Sequence, residues 1–401
     1  MDKRKIVGDI TLNLLASALP IAILQLLVLP VVALKLGDLQ YGLIVTIVSL
    51  FTLTSIPLGN VLNNIRLLQN LEYEKQEYEG DFNFLLVLFL IFNTALTIVG
   101  ILYYDRSASV LNIVLVLLIS WLSLMREYLI VSFRIRLNYK AILINNIWMA
   151  AGYVIGLILF HLMGYWQLIY LAGVLSSFIY VTKNTTLIKE NFMKTPLFKA
   201  TSYKSIMLYI ASFTGTALFY ADKLLLYPLL GPIAVSIYYS ATIIGKMVSM
   251  VITPISGVML SYLARVESIK KDSFILLLLC TSAVGIVGYF VCVIISKPLL
   301  NLLYPAWAAE SLKLIYVTIA TSVIGAINSV IKPLVLRFNS INWQVVLSIV
   351  NLIVYLLCAS IFYKYYGLIG FCIGILISSI FSMILLIAIF LSNYRNVIEG
   401  V

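Results

Sequence analysis

Charged residues are scarce in this sequence: they fill 11% of 401 positions, against 62% hydrophobic residues, and the mean hydropathy is +1.07. Soluble domains carry about 25% charged residues, so a water-facing surface cannot be built from this chain. Strict alternation of apolar and polar residues is missing too, which excludes a membrane β-barrel. The single histidine, His161, stands at a loop edge and cannot form a catalytic array alone. The four cysteines, Cys280, Cys292, Cys358 and Cys372, fall inside apolar runs without metal-ligand spacing. They read as small lipid- or core-facing residues, with neither a disulfide nor a zinc site expected. No Gly-rich phosphate cradle is present, so transport would have to draw on an ion gradient or on the substrate's own gradient. No cofactor or metal is implied.

What the chain does have is a succession of apolar runs of roughly 20 residues, the length a helix needs to cross about 30 Å of hydrocarbon. The expected fold class is therefore an all-α polytopic membrane protein with about 12 transmembrane helices. Their limits fall near 10–34, 40–65, 82–104, 107–125, 141–160, 165–182, 205–227, 233–262, 273–296, 312–332, 343–363 and 367–391. The start, "MDKRKIVGDITLNLLASALP", has the basic end of a signal peptide. Its apolar run continues to Leu34 with no small-residue cleavage site, so the first span is expected to be retained.

Of the 27 lysines and arginines, 20 fall in one set of loops, 6 in the opposite set, and Lys246 lies within a span. By the positive-inside rule both termini are expected to be cytoplasmic. The net charge of +11 is then mostly topology, and no nucleic-acid partner is expected. The longest loop, 183–204, is cytoplasmic, and the acidic "NLEYEKQEYEGD" (Asn70 to Asp81) reads as a solvated cytoplasmic connector. Large external loops are absent, and so is an external cluster of His, Arg and carboxylate. Both absences weigh against a membrane glycan polymerase, and the chain is not expected to be an enzyme.

A faint internal repeat points to a transporter. "KLGDLQYGLIVTIVSLFTLTSIPLGNV" follows span one and "LLGPIAVSIYYSATIIGKMVSMVITPISGV" follows span seven. Each has Leu-Gly at an external turn and then a long span with Pro just before Gly (Pro57 and Gly59; Pro254 and Gly257). An even number of spans per half gives both halves one orientation, related by an axis along the membrane normal. The expected division is 1–182 and 205–401, two six-helix lobes joined by the 183–204 linker.

Polar residues inside lipid are costly and tend to face a bundle interior or a wet cavity. In span eight, Tyr239, Thr242, Lys246, Ser249, Thr253 and Ser256 recur at helical spacing. Lys246 is roughly 28 Å along the helix from Arg265 and roughly 20 Å from Pro232, beyond the reach of a lysine stem to either surface. It either lines a water-filled cavity or is bonded to backbone carbonyls or a neighbouring carboxylate. In span ten, Thr318, Ser322, Gly325, Ser329 and Lys332 share a face, with Thr321 and Asn328 beside it. Lys332 is either a cavity cation or an interfacial anchor before Pro333. In span seven, "LFYADKLLLY" places Asp222 beside Lys223 in the outer third of the helix. Adjacent residues point about 100° apart on a helix, so the two are not expected simply to neutralise each other. Asp222 is either a coupling-ion site or the partner of a lysine on a neighbouring helix.

The balance of charge is basic: Lys246, with Lys223 and Lys332 as further candidates, and Arg66 and Arg126 near the cytoplasmic mouth. A cationic site with low-dielectric walls concentrates anions, so a substrate with a phosphate-bearing head and a lipid tail is expected. Substrate contacts are accordingly expected from Lys246, Arg66, Lys332 and Arg126, with Thr242, Ser249, Thr253, Ser322 and Asn328 lining the cavity.

Three stretches carry a family resemblance: "LNLLASALPIAILQLLVLPVVALKLGDLQYG", "FYADKLLLYPLLGPIAVSIYYSATIIGKM" and "ISKPLLNLLYPAWAAESLKLIYV". They resemble the polysaccharide-transport branch of the multidrug/oligosaccharidyl-lipid/polysaccharide exporter superfamily, the Wzx-type O-antigen flippases, over essentially the whole chain. The resemblance implies a two-lobed bundle around a central cationic cavity, working by alternating access in the bacterial inner membrane. Its cargo would be an undecaprenyl-pyrophosphate-linked oligosaccharide, an O-antigen or capsule repeat unit for surface polysaccharide. The family's basic cavity positions map onto Lys246 and Arg66, and its span-seven acid onto Asp222. The implied partners are the lipid-linked oligosaccharide, membrane lipids and a polysaccharide polymerase, with the chain acting as a monomer. The alternatives are a cation-coupled multidrug exporter of the same fold and, behind it, the glycan polymerase.

Overall fold

The computed structural model describes the backbone of residues 16, 18–263, 271–338 and 341–398, and the side chains of 16, 18–210, 212–247, 274–332 and 346–392. Among these residues there is helix and no strand. In chain order the helices are α1 (Leu29–Lys75), α2 (Asp81–Tyr104), α3 (Val110–Leu129), α4 (Val131–Ile135), α5 (Tyr139–Met163), α6 (Gln167–Lys183), α7 (Phe198–Leu263), α8 (Lys271–Leu303), α9 (Ala308–Phe338) and α10 (Ile341–Ile398). Eight helical stretches among the described residues are long and apolar enough to cross a membrane, and α6 is a shorter apolar helix. Their outward faces are oily: Ile91 and Val99 on α2, and Leu276, Val284 and Ile294 on α8, are all exposed. In water such faces would be unstable; against lipid tails they are matched.

Three of the long helices are broken at a glycine, and two of the breaks are alike. Gly37 in α1 has φ 76°, ψ 177°, and Gly231 in α7 has φ 81°, ψ 176°. This region is essentially closed to residues with a Cβ, at a cost of about 1–3 kcal/mol. Both glycines follow a leucine in the two Leu-Gly turns of the internal repeat, so the repeat has a backbone counterpart. The third break, Gly367 in α10 (φ 59°, ψ −136°), falls at the expected turn between the last two spans. A π-helical turn, Leu24–Val28, leads into α1, with the Leu29 N–H donating to the Leu24 carbonyl. The next residue is Pro30, which has no N–H to give, so the extra residue in the turn accommodates the proline.

Contacts divide the chain into two compact units, Met1–Pro232 and Ile233–Val401, so residues 205–232 group with the chain before them. The first unit is centred on Leu58, Leu62, Phe82, Leu124, Tyr128 and Val181. The second has a cluster of Phe274, Ile327, Ile331, Leu386 and Phe390, in which the rings of Phe274 and Phe390 stack 3.9 Å apart.

One sequence expectation is corrected here. The stretch from Asn70 to Asp81 is a solvated connector only in part: Glu72, Glu74, Glu77 and Glu79 are exposed, but α1 runs on to Lys75, Tyr73 is 1% exposed and Asp81 is fully buried. Tyr73 donates to Asp81 Oδ2 at 2.8 Å, and the Thr195 N–H donates to Asp81 Oδ1 at 2.8 Å. The acids at 72, 74, 77 and 79 are exposed as expected, while Asp81 starts α2 under cover of the following linker.

Candidate functional site

Among the described residues several clusters of polar side chains stand out, most of them in the first unit. At the end of α1, Arg66 makes a bidentate pair with Glu190 of the linker, Nη1 to Oε2 at 2.9 Å and Nη2 to Oε1 at 2.6 Å. Its guanidinium also lies 4.8 Å from the centre of the Phe82 ring and 5.9 Å from that of Tyr73. Burial pushes the Glu190 carboxyl above the ordinary carboxylate range, against the opposing pull of Arg66 and of the Gly80 N–H. Arg66 therefore does not present an open charge here; a carboxylate already occupies it. Helical periodicity could not show this, because the partner lies in a linker. The signal was there in another form: Glu190 is the only acidic residue between Lys183 and Lys204.

One turn deeper, Arg126 near the end of α3 ties three helices together. Its Nε donates to Ser177 of α6 at 2.7 Å, Nη1 to Glu127 at 2.9 Å, and Nη2 to the Asn146 side-chain oxygen on α5. Ser177 passes the contact on to Asn145 Oδ1 at 2.8 Å. Asn63 of α1 donates to the Glu127 carbonyl at 2.7 Å, and Arg134 donates to Asn63 and to Asn64. Asn63, Asn145 and Asn146, polar residues within apolar runs, act here as interhelical glue.

The third cluster corrects an expectation. Lys223 folds back onto Asp222, donating to both carboxylate oxygens, and reaches the Phe219 carbonyl at 3.1 Å. The 100° between adjacent Cβ directions is bridged by the length of the lysine stem. Lys223 is buried, and its ion pair with Asp222 lies within one helix. At the other end of the first unit, Lys35 donates to the carbonyls of His161 (2.8 Å) and Phe160 (3.4 Å) at the C-terminus of α5. A cation there satisfies orphan carbonyls and complements the helix dipole.

In the second unit, α7 and α9 pack through small polar residues. Ser240 and Ser311 share a hydrogen bond at 2.7 Å, and Thr318 donates to the Ala241 carbonyl at 3.2 Å. Gly245 sits so close to Ser322 that a Cβ would lie 1.8 Å from its hydroxyl oxygen. Ser322 is thus an interface residue that bonds the Thr318 carbonyl at 2.9 Å, and Thr242 bonds the Tyr239 carbonyl at 2.9 Å. Asn328 donates to the Ser379 carbonyl of α10 at 3.1 Å. Lys246, half-buried, holds its ammonium 3.3 Å from the centre of the Tyr239 ring. The stripe read from sequence brings Tyr239 and Lys246 together, two turns of one helix face. Lys332 lies at the last described side-chain position of α9, on an exposed part of its surface. The side chains of Ser249 and Thr253 lie outside the described residues.

No known family profile matches the sequence, and no curated protein matches it. Solved structures do. An inward-facing multidrug resistance MATE family transporter of the MOP superfamily superposes with a TM-score of 0.59 at 12% identity, over 97% of this chain and 95% of that one. The MATE transporter VcmN of Vibrio cholerae in its bent form gives 0.54 at 14% identity, over 98% and 97%. The lipid II flippase MurJ in an inward closed conformation gives 0.64 at 12% identity, over 98% and 89%. The chain is a multi-pass helical membrane protein with the fold shared by MATE transporters and the MurJ flippase of the MOP superfamily.

Proposed function

We propose that the protein is a flippase that carries an undecaprenyl-pyrophosphate-linked oligosaccharide, an O-antigen or capsule repeat unit, from the cytoplasmic to the periplasmic leaflet of a bacterial inner membrane. Counting each glycine break as a return across the bilayer gives twelve passes, and the loop charges then put both termini in the cytoplasm. The observation that carries the reading is Lys246: an ammonium deep along an apolar helix, lodged on the face of Tyr239. A lysine with a tyrosine at its side offers a point charge and a hydroxyl, the groups that bind phosphate oxygens. Arg66, Arg126 and Lys223 each have a carboxylate partner, and Lys246 is put forward for its depth along the helix and its place on Tyr239. Glycan polymerisation would be the work of a separate partner, and the flippase is expected to act as a monomer.

A second reading, a cation-coupled multidrug exporter, is favoured by the similarity to MATE transporters described as multidrug resistance proteins. A cation exporter needs an available carboxylate, and Asp222, the acid that would serve, is bonded to Lys223. The two readings separate in cells depleted of the protein. Mass spectrometry of their membrane lipids is expected to reveal accumulated undecaprenyl-pyrophosphate oligosaccharide, whose mass identifies the cargo. Intact surface glycan, no accumulated lipid and increased retention of cationic dyes would replace this reading with the exporter.

A further inference from the structure

The linker between α6 and α7 is strapped onto the end of α1 and the start of α2 by two different clamps. One is the Asp81 clamp: that buried carboxylate takes the N–H and hydroxyl of Thr195 and the hydroxyl of Tyr73, which also bonds Thr201 at 2.8 Å. The other is the Arg66–Glu190 pair. Between them Asn83 donates to the carbonyls of Glu190 (2.8 Å) and Leu187 (3.2 Å). Gly80, with φ 104°, lets the linker backbone come so near that a Cβ would lie 2.2 Å from the Asn191 carbonyl oxygen.

The surroundings of the Arg66 pair differ from those of the Asp81 clamp in one respect. Asp81 has donors on both oxygens, whereas beside the Arg66 pair two buried donors go unused: Arg66 Nε and the Tyr128 hydroxyl. Tyr128 is fully buried, stacks on Phe82 at 6.5 Å, and feels the charges of both Arg66 and Glu190. A carboxylate has two oxygens and fills two of the available donors. A phosphate has three or four and could fill the rest.

We infer that Arg66 and Tyr128 form a phosphate-binding site in which Glu190 is an internal stand-in, so that the linker is a strap which an incoming phosphate group displaces. The inference rests on the flippase reading for its cargo but not for its chemistry: any phosphate ester at the cytoplasmic surface has the oxygens the site lacks. Exchange is physically reasonable because Glu190 holds its charge there against a desolvation cost, while Thr195 keeps the far end of the strap attached through Asp81. The same pairing would let a buried arginine serve as a substrate contact and yet have its charge balanced by Glu190 when no substrate is bound.

The test is amide hydrogen exchange over residues 187–197 in the full-length protein, held in phosphatidylcholine vesicles. Three probes are compared: undecaprenyl pyrophosphate in the bilayer, phosphatidylglycerol in the bilayer, and inorganic pyrophosphate in solution. Wild-type protein is expected to exchange about tenfold faster with at least one probe. The effective probe gives the source: the carrier lipid, the bulk anionic surface or a soluble anion. Arg66→Gln is expected to lose the response. Glu190→Gln is expected to exchange fast without any probe and to bind the effective one about tenfold more tightly. Should either variant fail to fold, Arg66→Lys and Glu190→Asp, which keep the charges and lose only the paired geometry, are expected to give weaker responses in the same directions.

No change with any probe, or an equal change in Arg66→Gln, overturns the inference. Vesicle transport measured in parallel separates it from the function: unaltered transport with a silent strap removes this site and leaves the flippase, whereas a responsive strap without transport does the reverse.

Discussion

Lys246→Ala is expected to abolish surface display of the glycan while the protein still accumulates, folded, in the membrane. The two halves of the expectation have separate physical grounds. Removing one member of a desolvated charge contact costs about 2–5 kcal/mol, roughly a 30- to several-thousand-fold loss of complex at fixed substrate. Folding is spared because the packing of α7 on α9 is made by other residues, Ser240, Ala241, Gly245, Ser311 and Thr318. Lys246→Arg keeps the charge but replaces a compact ammonium with a planar fork, so partial display is expected. Tyr239→Phe keeps the ring face under the ammonium and removes the hydroxyl, and a smaller loss is expected. Display is read by staining for the glycan, normalised to the amount of protein in the membrane. Normal display in Lys246→Ala would contradict the assignment.

Arg126→Ala is expected to act on stability. The side chain is 11% exposed and that of its partner Glu127 is 23% exposed. Truncation strands a largely buried carboxylate together with Ser177 and Asn146, which face the guanidinium from α6 and α5. Breaking a buried pair from one side costs about 3–5 kcal/mol, and the partial exposure of Glu127 lowers this to about 2–4 kcal/mol. Glu127→Gln is expected to be milder, since Arg126 keeps two neutral acceptors. A double change of Arg126 and Glu127 to leucine is expected to recover part of the loss, because no charge is then left unpaired. Thermal unfolding in detergent reads all three. A wild-type melting temperature for Arg126→Ala, combined with lost transport, would make this arginine a substrate ligand instead of a brace.

How much of this could be read from the sequence depended on what held each residue in place. The spans were legible because lipid imposes one rule on every residue of a run, and the Leu-Gly turns were legible because glycine alone suits a backbone like that of Gly37 and Gly231. Contacts between neighbouring helices were half legible. Asn63, Asn145 and Asn146 are polar residues in apolar runs, but their meeting at Arg126 and Glu127 depends on packing that no periodicity encodes. Asp222 and Lys223 were misread because a helical wheel follows Cβ directions and ignores the reach of a lysine. The pairing of Arg66 with Glu190 was beyond such reasoning, since 124 residues separate them and one partner has no helical address. The role of Lys35 as a cap for α5 needed the position of that helix end.

The measurement that tests the central claim most directly is translocation by purified protein in vesicles. Undecaprenyl-pyrophosphate oligosaccharide is placed in the bilayer, and its glycan in the outer leaflet is removed by an added glycosidase that cannot cross. Lipid that starts in the inner leaflet then becomes accessible only by crossing. Wild-type protein is expected to expose essentially the whole pool, and Lys246→Ala only the half that is outside from the start. Exposure of the inner pool at the same rate by vesicles with and without the protein would contradict the account.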